Sequence, residues 1–116
     1  AAKLLADGNG KLVVVFQPHR YSRTKYLLEE FGACFGAADH LVITSIYSAN
    51  ESPIEGVSAA QLVKKVSEFG HKSVQYIPSV KSIVPHLLSV VEHGDVVLLL
   101  GAGDVWKLHD ELLRRL

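Results

Sequence analysis

Four short apolar runs stand out along the chain: Lys11–Phe16, Leu41–Thr44, Ser73–Ile77 and Val96–Leu100. Each spans four to six residues rich in Val, Leu or Ile, the length of a strand rather than of a core helix. The first and last are continuous rather than alternating, as expected of strands buried on both faces. Elsewhere the apolar positions recur with helical period. Arg23–Ala37 places Leu27, Phe31, Phe35 and Ala38 on one stripe and predicts a single helix. Ser58-Ala-Ala-Gln61 reads as a capping box opening a second helix. That helix should bury Ala59, Leu62, Val66 and Phe69 and stop at Gly70. A third is predicted to start near Ser82, because Pro85 then falls in the first turn, where its missing N–H costs little, and to end at Gly94. A fourth begins at Asp104, whose carboxylate can cap the following amides, and turns Val105, Leu108 and Leu112 inward. Ala1–Ala6 reads as the tail of a further helix.

Strand followed by helix, four times over, predicts an α/β fold: a mostly parallel sheet flanked by helices on both faces, in three layers, with right-handed crossovers. No repeat, low-complexity tract or linker divides residues 1–116, so a single domain is expected. Composition narrows the function classes. Twelve Lys and Arg balance twelve Asp and Glu over 116 residues, which speaks against a nucleic-acid binder working by bulk charge. One cysteine, Cys34, leaves no internal disulfide framework and suits a reducing, cytoplasmic setting. No apolar run approaches the roughly 18 residues of a membrane span.

Ligands of open α/β sheets bind beyond the carboxyl ends of the strands, and three of the turns there carry more than a plain turn needs. The first, Phe16-Gln-Pro-His-Arg-Tyr-Ser-Arg-Thr24, gathers His19, Arg20 and Arg23 at the mouth of a helix. Two guanidinium forks there suit a carboxylate or phosphate; otherwise they are solvated arginines at an end where cations are unwelcome. The second, Ser45–Val57, is long for a compact domain and offers Tyr47, Asn50 and Glu51; a plain surface loop fits it as well. The third, Gly101-Ala102-Gly103-Asp104, lets backbone amides approach an anion. Trp106 stands where a dinucleotide fingerprint needs its third glycine, and a mononucleotide phosphate loop is absent. The Pro78-Ser-Val turn reads as ordinary. The histidines read as scattered surface residues, Cys34 as a buried spectator, and Tyr76 and Trp106 as packing residues. Lys107 either neutralises a ligand or is simply exposed.

The first turn, together with Tyr47-Ser-Ala-Asn-Glu-Ser-Pro-Ile-Glu-Gly-Val57 and Gly101-Ala-Gly-Asp-Val-Trp-Lys107, resembles the C-terminal domain of the Mur ligase family over essentially the whole chain. The first motif resembles the branch that adds the first amino acid. The resemblance implies a Rossmann-like domain of a three-domain enzyme of peptidoglycan precursor synthesis. ATP and Mg2+ would be held mainly by a central domain and the sugar nucleotide by an N-terminal one. In the reaction it implies, a carboxylate of UDP-N-acetylmuramate becomes an acyl phosphate and the amine of L-alanine attacks it. By the same resemblance, His19, Arg20 and Arg23 face the substrate carboxylates. Gly101, Ala102, Gly103 and Asp104 present helix-terminal groups to the amino acid, and Tyr47, Asn50 and Glu51 belong to the neighbouring loop. No catalytic residue or metal ligand falls on this chain, and alone it is expected to be inactive. Ser45 replaces an aspartate common in this loop, and the preceding Asp-Asp-Tyr-x-His-His-Pro segment is missing. From a different class comes the alternative of a stand-alone α/β anion- or nucleotide-binding regulatory module.

Overall fold

The computed structural model describes residues 10–101 and 103–115. Four strands, β1 (Leu12–Gln17), β2 (His40–Ile43), β3 (Val74–Tyr76) and β4 (Val96–Gly101), form one sheet in the order β3-β2-β1-β4. Every pairing is parallel, as predicted. Strand alternation then divides the core into two layers. Val13, Val15 and Val42 point to one face, where α4 (Val80–Val90) brings Ile83, Val84 and Leu87 and α5 (Lys107–Arg115) brings Leu108 and Leu112. Leu12, Val14, Leu41 and Ile43 point to the other, where Phe35 and Ala38 meet Ala59, Leu62 and Val66 of α3 (Ala59–Glu68). The result is the expected three-layer, Rossmann-like arrangement.

Several local expectations are corrected. The predicted helix over Arg23–Ala37 is two helices, α1 (Tyr21–Tyr26) and α2 (Leu28–Cys34), hinged at Leu27 with φ −105° and ψ 18°. Hydrogen bonds from Leu27 N to Arg23 O and from Phe31 N to Leu27 O run through the break, so the apolar stripe reads as continuous. Cys34 is exposed, because it lies off that stripe. Ser58 Oγ accepts from Gln61 N at 3.1 Å, the expected cap. Phe69, however, lies past the last turn of α3 and stays 52% exposed, with its ring edge resting on Gly32. Helix α4 starts at Val80, so Pro85 sits inside it, on the exposed side beside the Lys81 carbonyl it cannot serve. Strand β4 is an edge strand and only half-buried, since a continuous apolar run does not distinguish an edge from a centre. Tyr76 and Trp106 are exposed, at 37% and 71%, rather than packed. Ala1–Ala6, Ala102 and the Asp104 side chain lie outside the described residues.

The histidines are not all scattered over the surface. At the amino end of β2, His40 Nε2 meets His86 Nε2 of α4 at 2.8 Å, and its Nδ1 meets Ser73 Oγ at 2.7 Å. His71 Nδ1 accepts from Ser73 N, which leaves its Nε2 to donate to the Ala38 carbonyl. Burial, and then the neighbouring His86, His71 and Lys11, hold the His40 imidazole below its ordinary pKa. An N–H···N bond between two imidazoles needs one neutral ring as acceptor. The fold therefore favours neutral His40; this stabilisation is complete above the unfolded value of about 6.5 and is lost as pH falls through the lower folded one. Thermal melts are expected to show a midpoint that drops from pH 7.5 to pH 5.5, and less so in His40→Gln. An equal drop in both would contradict the assignment.

Candidate functional site

Strand β1 ends in Gln17, a polar residue closing an otherwise apolar run, and only 3% of it is exposed. Such a group is tolerated inside because both ends of its amide are bonded. Nε2 donates to the Ser45 carbonyl at 3.2 Å, and Oε1 accepts from Val105 N at 3.1 Å. Gln17 thereby joins the ends of β1 and β2 to the 3-10 turn Gly103–Trp106 that leads into α5. It also pairs with Gly101 across the β1–β4 register, at the point where the strand order reverses. Gly101 has φ +128°, and a Cβ there would stand 2.5 Å from the Gln17 carbonyl oxygen. Only glycine fits that crossing.

Two concavities open on this rim. One, of about 420 Å3, is lined by His19, Arg20, Ser22, Arg23, Tyr26 and Leu27. The other, of about 740 Å3, lies beyond the ends of β1, β2 and β3; its wall includes Gln17, Thr44, Tyr47, Ser79, Lys81 and Lys107. Between them the His19 and Tyr47 rings stack, with centroids 5.8 Å apart and planes 13° from parallel. The backbone is latched at the same place: Tyr47 N donates to Pro18 O and Arg20 N to Tyr47 O, each at 2.8 Å.

Arg20 caps α1 from outside the helix at φ 69° and ψ 144°, a conformation costly for any residue but glycine. Thr24, fully buried, fastens it from below, its N and Oγ1 both donating to the Arg20 carbonyl. Arg20 and Arg23 are exposed and share one concavity. On the facing loop, Ala49 and Asn50 are both left-handed, at φ 51° and 70°, and Glu51 N donates to Ser48 O at 3.0 Å. This tight turn leaves Asn50 exposed and returns Glu51 to α1. There its Oε1 accepts from Ser22 N at 2.9 Å and its Oε2 from Ser22 Oγ at 2.5 Å. Those bonds hold the Glu51 carboxyl below the usual carboxylate range, with smaller help from Arg20.

The structure thus brings His19, Arg20, Arg23, Tyr47 and Glu51 to one rim. Gly101 lies against Gln17 and lines a separate hollow with Val105 and Trp106. Three contributors escaped sequence reasoning. Gln17 was readable as a polar end to an apolar strand. Ser22 lay inside the first motif without distinction. The Pro78 turn, ordinary by its residue types, walls the larger crevice and receives Thr44 Oγ1 and Ser45 Oγ on its carbonyl. No three acidic, cysteine or histidine side chains converge as metal ligands among the described residues, and none of the described helices is long and apolar enough to cross a membrane.

A family model described as Mur ligase, glutamate ligase domain, matches residues 1–103. The chain belongs to the Mur ligase family. This Mur ligase domain is 49% identical over 104 residues to the UDP-N-acetylmuramate–L-alanine ligase of Syntrophotalea carbinolica, a match covering 90% of the chain and 23% of the relative. It is 48% identical over 119 residues to the ligase of the same name from Trichlorobacter lovleyi, covering 99% and 26%. The same-named ligase of Geobacter sulfurreducens is 48% identical over 106 residues. The domain therefore spans about a quarter of the length of the curated relatives it matches.

Proposed function

We propose that this domain delivers and orients L-alanine in an ATP-dependent ligase that joins it to UDP-N-acetylmuramate in the cytoplasm. The observation that carries the reading is the sharing of one concavity by His19, Arg20 and Arg23 at the carboxyl edge of the sheet, in a chain nearly half identical to ligases of that name. Arg20 and Arg23 present planar, permanently charged forks suited to bidentate carboxylate binding. Held by its carboxylate, L-alanine has its amine free to point away from the rim. The amine nitrogen then attacks the acyl-phosphate carbon; a C–N bond forms, the C–O bond to phosphate breaks, and the amine gives up a proton. What this domain contributes is position, which converts an encounter between two solutes into a reaction within one complex.

ATP and Mg2+, which activate the sugar-nucleotide carboxylate, are assigned to the rest of the ligase, and so is the UDP-sugar. Family membership favours this reading over an unattached anion-binding module. Given ATP, Mg2+, UDP-N-acetylmuramate and L-alanine, the 116-residue chain alone is expected to release no ADP, whereas the complete ligase releases it in step with alanine consumed. Alanine-dependent ADP from the isolated chain would overturn this division of labour.

A further inference from the structure

The carboxylate of Glu51 looks, from its place on the rim, like one more substrate ligand. Its geometry gives it another task. Both oxygens accept from Ser22, one from the backbone amide at 2.9 Å and one from the hydroxyl at 2.5 Å. A carboxylate already accepting two short hydrogen bonds, one of them from an amide that no helical carbonyl serves, is a cap supplied from another segment. The turn that brings it there is not relaxed. Ala49 and Asn50 both sit at positive φ, and Arg20, one residue before α1, sits at φ 69°. Such backbone persists where the surrounding contacts over-determine it, and the Glu51–Ser22 pair joins the two segments that carry it.

Rigid placement of Arg20 and Arg23 requires such a hold. Helix α1 is only six residues long, ends at the Leu27 hinge, and has no side-chain cap of its own. A helix that short is not stable by itself. Its N-terminal end is fixed by the Thr24 bonds to the Arg20 carbonyl, by the Arg20 N to Tyr47 O bond, and by Glu51. From the facing loop, Tyr47 holds the residue before the helix and, among the described residues, Glu51 holds the first helical turn itself. Its negative charge also lies near enough to Arg20 to be felt by it.

We propose that Glu51, acting through Ser22, is a positioning residue: it clamps the 45–57 loop to the mouth of α1 and so aims the Arg20 and Arg23 guanidinium groups at the substrate carboxylate, without touching substrate itself. This rests on the carboxylate-binding reading above. Glu51 stays ionised through the neutral range and keeps the clamp closed.

The test is a double-mutant cycle in the complete ligase, reading KM for L-alanine, KM for ATP and kcat. Glu51→Ala is expected to raise KM for L-alanine about tenfold and to leave KM for ATP unchanged. Ser22→Ala should raise it severalfold, because the Ser22 amide still donates. The double variant should be no worse than Glu51→Ala alone, since both act on one contact. Glu51→Gln, whose amide can still accept from Ser22 N and donate to Ser22 Oγ, should recover most of the loss. If Glu51→Ala does not fold, Ser22→Ala and Glu51→Gln carry the test alone. Multiplicative effects, or a silent Ser22→Ala beside a severe Glu51→Gln, would show Glu51 reaching the substrate directly and overturn the proposal. Wild-type kinetics in all Glu51 and Ser22 variants, with Arg20→Ala impaired, would overturn the clamp alone. Wild-type kinetics in Arg20→Ala and Arg23→Ala as well would overturn the carboxylate-binding reading with it.

Discussion

Gly101→Ala is expected to destabilise the domain strongly, because it combines backbone strain with a clash at the central strand. At φ +128° an L-residue is strained by roughly 1–3 kcal/mol. The new Cβ would also stand 2.5 Å from the Gln17 carbonyl oxygen, which belongs to the central strand and has nowhere to yield. Forcing atoms into a packed site adds about 1–3 kcal/mol. A cost of about 3 kcal/mol against a stability of roughly 5–15 kcal/mol is large, and corresponds to a melting point lowered by about 10 °C. Any shift of β1 would also strain the Gln17 amide that ties Ser45 and Val105 together. Gly56→Ala is the control. Gly56 also has positive φ, +80°, but a Cβ there would meet open space. It should cost only the backbone share, about 1 kcal/mol. Thermal melts of the two variants side by side check the difference; equal midpoints would mean that the Gln17 contact is not rigid.

The second large effect is functional. In the complete ligase, Arg20→Ala or Arg23→Ala is expected to raise KM for L-alanine or UDP-N-acetylmuramate about 10–100-fold, the loss of one charged hydrogen-bonding pair at roughly 1.5–3 kcal/mol. Lysine should not rescue either position, because an ammonium cannot reproduce the planar two-donor fork. Arg20→Gly separates function from stability. It removes the guanidinium and also relieves the strained φ of 69°. Activity should fall while the melting point holds or rises. A fall in both would mean that the Arg20 side chain supports the fold rather than the substrate.

Much of this architecture was legible because the apolar runs and helical stripes are each set by burial against a single layer. The parallel order of strands and helices, the Ser58 cap, and the inward stripe Val105, Leu108 and Leu112 follow from those patterns. What could not be read depends on groups distant in sequence. The hinge at Leu27 leaves the apolar period intact, and β4 looks as apolar at the sheet edge as β1 does at its centre. Pro85 was expected at a helix start on local grounds, yet tertiary packing of Ile83, Val84 and Leu87 carries α4 across it. At the site, the motifs identified the rim but not its internal bonding. Nothing in the sequence couples Glu51 to Ser22, 29 residues away, or His40 to His86, 46 residues away.

The most direct measurement of the central claim is phosphate release from ATP by the complete ligase, with each substrate omitted in turn and with Arg20 intact or replaced. The account predicts steady release only when UDP-N-acetylmuramate and L-alanine are both present, and in Arg20→Ala a rate restored only at much higher substrate concentration. Release that ignores L-alanine, or an Arg20→Ala variant indistinguishable from wild type at limiting substrate, would contradict it.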